Sequence, residues 1–176
     1  MNQSCEATGT RRAPIPGCTR PKLFADAMLG RLARWLRIFG LDVAYDPGAD
    51  DAELVCRAAE EARMILTRDT HLVQRRLARH SLLIRSSTLS DQLHQVCREL
   101  NLRVDRERIL SRCVVCNRLL VPVSIDSARH RVPPFVARTQ TRFKECRECR
   151  RLFWQATHVV RILDRLREMG FSPQRF

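Results

Sequence analysis

The chain carries two Cys-x-x-Cys pairs, Cys113 with Cys116 and Cys146 with Cys149. Two such pairs on separate turns can place four thiolates around one tetrahedral Zn²⁺, which is the arrangement of a zinc ribbon. The 29 residues between the pairs exceed the usual spacing, so an extra segment, residues 124–142, is expected to loop out there. A redox dithiol and a pair of disulfides are weaker interpretations, because a closed four-ligand site needs no catalytic role. The pattern predicts a structural zinc site.

Five carboxylates form a second set of candidate ligands. Asp26 follows one short apolar run directly, Asp69 follows another after the single residue Arg68, and Asp50, Asp51 and Glu53 lie after a third run. Crowded carboxylates repel one another unless a cation lies among them, and hard oxygen ligands suit Mg²⁺ or Mn²⁺. Such a site can activate a water and stabilise charge on a scissile phosphate. Taken singly, an aspartate before a helix is more simply a cap, but as a set these residues favour a divalent-metal site.

The elements that must position these side chains are predicted by the hydrophobic pattern. Apolar runs interpreted as strands cover residues 22–25, 42–45, 64–67 and 81–85, and helical periods lie between them. Strand–helix alternation of this kind predicts a mainly parallel sheet with helices on both faces. Right-handed crossovers place the carboxyl ends of parallel strands at one rim, where ligands of open α/β sheets bind. The acids are therefore expected to meet at that rim.

Apolar stripes at helical spacing predict the individual helices. One helix begins at a cap formed by Asp50 or Asp51 and carries Cys56, and a later one is opened by Thr88 or Ser87 and carries Cys97. Both cysteines are predicted to be small buried side chains. The stripe of the first helix consists of Leu54, Val55, Ala58, Ala59 and Ala62. Three further helices are predicted: one on Leu29, Leu32, Ala33, Leu36 and Phe39 that ends at Gly40, one through Leu72, Val73, Arg76 and Leu77, and a last one over roughly residues 156–169.

Length and composition limit the organisation of the chain. Its 176 residues, of which 44% are apolar, suit one compact domain with an elaboration. We predict a flexible leader over residues 1–20, an α/β domain over 21–105, and a zinc ribbon with a final helix over 106–176. No secretory run and no apolar stretch of membrane-span length is present, so no membrane partner is expected. Eight cysteines without an export signal favour a reducing, cytoplasmic setting.

The net charge of +13 is distributed unevenly. Residues 1–102 hold 15 basic and 12 acidic residues, whereas residues 103–176 hold 17 and 7. Of the 32 basic residues, 30 are arginines, which bind phosphate in a fork and stack on bases. The second part is therefore expected to bind a polyanion. A solvated surface is the alternative that charge alone leaves open.

A specific combination of motifs is present at residues 24–37, 50–54, 65–69 and 131–134, at the pairs Phe153-Trp154 and Thr157-His158, and at both Cys-x-x-Cys pairs. In this combination the chain resembles one known family, the Mut-seven-C RNase domain, which is PIN-like. The resemblance extends over about residues 21 to 170 and implies a PIN-like three-layer α/β/α fold with a mainly parallel sheet, plus a C-terminal Cys₄ zinc ribbon. It also implies a divalent-metal ribonuclease whose substrate is RNA.

The resemblance also implies roles for individual residues. By position, Asp26, Asp51 and Asp69 would bind catalytic Mg²⁺ or Mn²⁺, with Glu53 or Asp50 as a fourth acid. Candidate phosphate contacts on this interpretation are Arg31, Arg34, Arg68 and His71, each of which is equally explained as an ordinary surface residue. Further nucleic-acid contacts are expected from Arg147, Arg150 and Arg151, which surround the second cysteine pair, where cations also help to hold the sulfurs as thiolates.

Helix propensity adds one expectation about Gly30. A glycine inside a helix costs about 1 kcal/mol against alanine, so another group is expected to approach Gly30 closely.

Alternatives to a nuclease come from other functional classes. A non-catalytic RNA- or ribosome-binding module would keep the same fold without turnover, although the acids at three strand ends favour catalysis. A phosphatase requires a second acid two residues after the first, and that position holds Met28. A toxin-like role with a protein inhibitor rests on fold analogy alone. The RNA target, the mode of cleavage and the oligomeric state stay open.

Overall fold

The computed structural model describes residues 20–75, 78–154 and 157–173. Four short strands in its first half pair in parallel, namely β1 (Leu23–Ala25), β2 (Val43–Tyr45), β3 (Met64–Thr67) and β4 (Ser81–Leu83). Their order in the sheet is β2-β1-β3-β4, so β1 lies inside the sheet between β2 and β3. The register places Ala25 beside Tyr45 on one side and beside Leu66 on the other. The predicted parallel sheet is confirmed.

Helices cover both faces of this sheet. A 3-10 turn (Ala27–Leu29) leads into α1 (Gly30–Ile38), which is followed by α2 (Asp51–Glu60), α3 (Thr70–Gln74) and α4 (Leu89–Glu99). Alternate residues of a strand face opposite sides, so Leu23 and Ala25 join one apolar core and Phe24 joins the other. Helices α1 and α4 pack in the first core, and α2 and α3 pack in the second. This arrangement is the predicted three-layer α/β/α fold.

Two helix starts follow the sequence predictions. Asp50 caps α2, where its Oδ1 accepts from the backbone N–H groups of Ala52 and Glu53 at 2.8 and 2.9 Å. Thr88 caps α4, where its hydroxyl oxygen accepts from the N–H of Asp91 at 3.3 Å. Side-chain caps of this kind satisfy backbone donors that have no partner within the helix.

The buried face of α2 is narrower than predicted. The prediction that Cys56 is buried is wrong: its thiol is exposed, because the buried residues of α2 lie on the other side of the helix. Ala59 and Ala62 are exposed as well, and Ala62 follows the end of the helix with a left-handed φ of 51°. Cys97, by contrast, is half-buried against the first core. The buried residues of α2 are Leu54, Val55 and Ala58.

The second half of the chain contains a small antiparallel sheet. It consists of β5 (Val121–Val123), β6 (Phe143–Glu145) and β7 (Leu152–Trp154), in that order. Between β5 and β6 the chain forms α5 (Ile125–Arg129) and α6 (Pro134–Thr139). These two short helices occupy the segment that the long spacing between the cysteine pairs predicted.

The last helix, α7 (Thr157–Glu168), returns to the first half of the molecule. Leu166, Met169 and Phe171 are buried in the same core as α1 and α4. The ring of Phe171 lies 5.4 Å from that of Phe39 and stacks on His94 at 4.2 Å. None of the helices in the described ranges combines the length and the apolar character that crossing a bilayer requires.

Three predictions reach residues outside the described ranges. Most of the predicted leader, residues 1–19, lies outside them. Arg76 and Leu77 also lie outside them. The sequence pattern predicts a helix through these two residues, and the structure describes that helix, α3, as far as Gln74. Ala156, the predicted start of the last helix, lies outside them as well.

Candidate functional site

The two Cys-x-x-Cys turns fold in the same way. Cys113 and Cys146 each donate their backbone N–H to the carbonyl five residues later, at 2.8 and 3.0 Å. Asn117 and Arg150, four positions after those cysteines, donate back to the cysteine carbonyls and have left-handed φ values of 63° and 59°. The chain therefore contains two matching turns, each of which presents two sulfurs. We name them the first knuckle (residues 113–118) and the second knuckle (residues 146–151).

The four sulfurs of the knuckles converge on one point. All of them lie within 4.8 Å of one another, and Cys113 Sγ lies 3.7 Å from Cys149 Sγ. Tetrahedral zinc with Zn–S bonds of about 2.3 Å requires sulfurs roughly 3.8 Å apart. A disulfide, with an S–S bond of about 2.05 Å, does not fit this spacing. The four cysteines can therefore bind a metal such as zinc, as predicted for Cys113, Cys116, Cys146 and Cys149.

The thiols of this cluster differ in acidity. Burial, together with hydrogen bonding to Cys149, raises the pKa of Cys116 to about 12. Burial acts in the same direction on Cys149, but hydrogen bonds from the Arg151 backbone N–H and from the neighbouring thiols lower its pKa to about 7. Protons held by these sulfurs must leave when a metal binds, so the affinity of the cluster for zinc rises with pH.

A buried arginine joins the first knuckle to the amino end of the parallel sheet. Arg37, on α1, is 6% exposed and donates from Nη1 to the carbonyl oxygens of Val114 and Val115 at 3.1 and 2.8 Å. Its Nε donates to the carbonyl of Val43, the first residue of β2, at 2.9 Å. One guanidinium therefore orients the knuckle relative to both α1 and β2.

Asp42 completes this connection. Its Oδ1 accepts from Arg63 at 2.6 Å and from the Asn117 side-chain amide at 2.7 Å, and its Oδ2 lies 3.3 Å from Arg112. The Asn117 Oδ1 in turn accepts from the Val43 N–H at 3.0 Å. Although burial raises it, the hydrogen bonds from Arg63 and Asn117 hold the pKa of Asp42 below its ordinary value. We name Arg37, Asp42, Arg63, Arg112 and Asn117 the amino-end network.

At the carboxyl end of the same strands, Asp26 and Asp69 lie on either side of one hydroxyl. Asp26 follows β1 and is 9% exposed, and its Oδ2 accepts from the Thr67 hydroxyl at 2.6 Å. The same Thr67 oxygen accepts from the Asp69 backbone N–H at 2.9 Å. The pairing of β1 with β3 therefore brings two of the predicted acids together around Thr67.

The acids that follow β2 have partners of their own. Asp51 Oδ2 lies 3.0 Å from Arg75 Nη2, immediately beyond the end of α3. Glu53 Oε1 lies 3.3 Å from Arg57 Nη1, one helical turn later. Both pairs are at the surface, with about half of each carboxylate side chain exposed. We name Asp26, Asp50, Asp51, Glu53 and Asp69 the carboxyl-end acids.

The carboxyl-end acids do not form a close cluster of three. Within the described ranges, the cysteines are the one group of three or more Cys, His, Asp or Glu side chains whose ligand atoms lie within 4.8 Å of one another. Asp69 uses Oδ1 to cap α3, where it accepts from the His71 N–H at 2.7 Å. The capping roles considered for Asp50 and Asp69 from the sequence are thus both present.

Close approach to Gly30 is confirmed, and the approaching group is a tyrosine. A Cβ at position 30 would lie 2.6 Å from Tyr45 Oη and 2.8 Å from Tyr45 Cζ. The Tyr45 hydroxyl donates to the Ala27 carbonyl at 3.1 Å, which fastens the 3-10 turn after Asp26 to the end of β2. Glycine therefore allows two strand ends to be joined next to the carboxyl-end acids.

Sequence reasoning missed the residues that hold both ends of the sheet. Thr67 is fully buried, and a polar residue at the last position of an apolar strand was the available signal. No local signal distinguishes Arg75 from the many other arginines. Arg37 and Asp42 were missed because their partners in the first knuckle lie more than 70 residues away.

The predicted phosphate contacts are exposed side chains in three places. One of them, Arg150, already forms an ion pair within the protein, because its Nε lies 3.1 Å from the buried carboxylate of Glu145. Arg131 also contacts that carboxylate, at 2.9 Å. The places are α1 (Arg31 and Arg34), the flanks of Asp69 (Arg68 and His71) and the second knuckle (Arg147, Arg150 and Arg151).

Comparison with known protein families finds a match for this chain. The family model described as Mut7-C RNAse domain matches residues 21–166, well over half of the chain. The matched stretch contains the carboxyl-end acids and both knuckles. No curated protein matches the chain. The family match implies a ribonuclease-type activity with RNA as the substrate.

Proposed function

Since the chain belongs to the Mut7-C RNAse domain family, we propose that it hydrolyses RNA phosphodiester bonds at the carboxyl end of its parallel sheet. The observation that carries this proposal is the buried Asp26 carboxylate, which shares Thr67 with Asp69. A buried carboxylate is costly without a compensating charge. Among the described residues no basic side chain contacts Asp26, so a cation from solution is the natural counter-charge.

The donor set at this end suits Mg²⁺ or Mn²⁺. Both ions prefer oxygen ligands and keep several waters, so two or three carboxylates are sufficient. Asp26 and Asp69 would hold the ion, and Asp51 would complete the set, with Glu53 or Asp50 as the fourth acid. When bound, such an ion supplies Lewis-acid polarisation of the phosphate and a lowered pKa for water.

The surrounding side chains position these acids and the substrate. The Thr67 hydroxyl oxygen is hydrogen-bonded both to the Asp26 carboxylate and to the Asp69 backbone N–H. One side chain therefore restrains the positions of both proposed metal-binding residues. Asp51 must leave Arg75 to take part, and a surface pair of half-exposed side chains costs little to separate. Arg68 and His71, exposed beside Asp69, contact phosphates of the bound strand in this proposal.

A second candidate function is a non-catalytic RNA- or ribosome-binding module. One observation favours it: Asp50 and Asp69 already serve as helix caps, and Asp51 already has an ion-pair partner. None of these three side chains needs a metal to be satisfied. In that case the basic second half would bind RNA without turnover.

The test is cleavage of single-stranded and hairpin RNAs by zinc-loaded protein, with and without added Mg²⁺ or Mn²⁺. Divalent ions are withheld rather than chelated, because a chelator would also remove zinc. The double variant Asp26→Asn, Asp69→Asn should lose at least about 100-fold in cleavage rate, as is usual when a group that acts on the transition state is removed. The matched control is Asp46→Asn, which removes an acid after β2 that pairs with Arg57 instead.

Two outcomes decide between the candidates. Cleavage that persists in the double variant, or that is independent of added divalent ions, contradicts the proposed site. RNA binding by the unaltered protein with no cleavage under any of these conditions supports the binding module.

A further inference from the structure

A cleft of about 530 Å³ lies between α1, β7 and α7, and none of the carboxyl-end acids lines it. Its volume is within the range of roughly 300–1,000 Å³ typical of ligand-binding clefts. Trp35, Phe153 and Trp154 contribute aromatic surface to it, and arginines from α1 and α7 surround them. Because two helices and a strand of the small sheet form its walls, the cleft joins the two halves of the molecule.

The charges along this cleft are all of one sign. Arg31, Arg34 and Arg161 line it with exposed side chains that make no ion pair or hydrogen bond to any other described residue. Arg165 also lines it, but its Nη1 is held by Glu168 at 2.7 Å. None of the described residues that line the cleft is acidic. Three unpaired guanidinium groups along one cleft complement a polyanion such as a phosphate backbone.

The aromatic surface adds a second requirement for the ligand. Trp35, Phe153 and Trp154 are each only partly buried, so their rings are accessible from the cleft. Bases stack on aromatic side chains with little regard to sequence. In a duplex the bases already stack on one another and are out of reach, whereas a single strand can turn them outward.

We propose that this cleft binds single-stranded RNA, with bases on the aromatic surface and phosphates on Arg31, Arg34 and Arg161. The route from cleft to acids is short, because Asp26 is followed by the Ala27–Leu29 turn and then by the first turn of α1, which carries Arg31. The identity of the ligand as RNA rests on the proposed ribonuclease function. The cleft adds a location for the RNA strand on the protein and a reason why the substrate is single-stranded.

The test measures binding separately from cleavage, in the Asp26→Asn, Asp69→Asn background. The chain has two tryptophans, Trp35 and Trp154, and both line the cleft, so their fluorescence reports on its occupancy directly. We expect a single-stranded oligonucleotide to quench this emission and a duplex of the same sequence to quench it much less.

The charge contacts are tested by Arg31→Gln combined with Arg161→Gln. In single-strand binding, each phosphate that an arginine neutralises adds about 0.7 to the steepness with which log K falls as log salt rises. The double variant neutralises two phosphates fewer, so this slope should become shallower by about 1.4. The matched control is Arg98→Gln combined with Arg138→Gln, which removes two exposed arginines that do not line the cleft and should leave the slope unchanged.

The outcomes separate this inference from the proposed function. Absence of quenching, equal quenching by an acidic peptide, or a cleft variant that binds like its control overturns the inference, even if the protein cleaves RNA. Quenching and a shallower salt slope as expected, with no cleavage by the unaltered protein, would contradict the ribonuclease proposal and leave the cleft assignment standing.

Discussion

The two ends of the parallel sheet use charged residues in opposite ways. At the amino end, Asp42 is contacted by Arg63, Arg112 and Asn117, so its charge is neutralised within the protein. At the carboxyl end, Asp26 is more deeply buried than Asp42 but has only the hydroxyl of Thr67 as a side-chain partner in the described structure. A charged side chain with a structural role is paired with an opposite charge inside the protein, whereas one that binds a ligand is neutralised only when the ligand is bound.

Helix α1 shows the same contrast for cations. Arg37 is buried and donates to three carbonyl groups, so it connects elements of the fold. Arg34 and Arg31, about one and two turns earlier on the same helix, are exposed and have no side-chain partner among the described residues. Residue type alone therefore does not distinguish a structural arginine from one that is available to a ligand.

Asp42→Ala is expected to have the largest effect on stability. It leaves Arg63 with Glu61 as its remaining counter-charge, leaves Arg112 with none among the described residues, and breaks the link to Asn117. The side chains of Arg63 and Arg112 are only 11% and 19% exposed. The uncompensated charge of Arg112 and the loss of three charged hydrogen bonds or ion pairs should together lower the free energy of unfolding by about 3 kcal/mol. Urea denaturation of the zinc-loaded protein measures it.

The matched control for this variant is Asp46→Ala, at the other end of the same strand. Asp46 also pairs with an arginine, Arg57, but both side chains are about a third or more exposed. We expect a much smaller loss, because exposed ion pairs contribute little. Equal losses from the two variants would remove the distinction between the two ends of the sheet.

Gly30→Ala is expected to have the next largest effect. A Cβ there must displace Tyr45 from its hydrogen bond to Ala27, and the cost of overpacking exceeds the gain in helix propensity, for a net loss of about 1 kcal/mol or somewhat more. Thermal denaturation measures this change. In a Tyr45→Leu background the same substitution should no longer destabilise. A loss that is unchanged in that background would show that the tyrosine is not the obstacle.

Asp50→Ala should cost about 1 kcal/mol, the usual value for removing a helix cap. The side chain accepts from two backbone N–H groups at the start of α2, and alanine leaves both without this partner. Urea denaturation gives the change, and Asp50→Ser, which can still cap, is the matched control. If Asp50 also completes the metal site, cleavage should fall in both variants while stability falls only in the first.

Asp26→Asn should change stability least, by less than about 0.5 kcal/mol. Asparagine keeps a carbonyl oxygen to accept from Thr67 and removes a charge that the fold does not neutralise. Calorimetry of the zinc-loaded protein without Mg²⁺ or Mn²⁺ is the appropriate measurement. A loss as large as that of Asp42→Ala would identify Asp26 as a structural residue and break the comparison between the two ends.

The layers of the fold could be predicted because their signals are local. Alternating runs such as Leu23 to Ala25 and the caps Asp50 and Thr88 depend on neighbours within a few residues. The cysteine spacing likewise predicts its cluster, since each pair lies within one turn. The error at Cys56 has the opposite cause: an apolar helical pattern favours burial of the residues within it, although only one side of that helix meets the sheet.

The partners that complete the two sheet ends could not be predicted in the same way. The link from Arg37 to the first knuckle spans 77 and 78 residues, and the hydrogen bond from Thr67 to Asp26 spans 41. Such contacts depend on which strands become neighbours and on side-chain rotamers within the folded molecule. A sequence pattern that predicts the sheet supplies the acids at its rim but not the groups that hold them.

The return of α7 has a practical consequence for shortened versions of the protein. Leu166, Met169 and Phe171 fill a hollow beside Phe39 that residues 21–105 cannot fill by themselves. A polypeptide that ends at residue 105 would leave this apolar groove exposed to water, and we expect it to aggregate or to be degraded. A shortened protein that lacks the knuckles should therefore retain the last helix and join it to residue 105 through a linker, so that the groove stays covered.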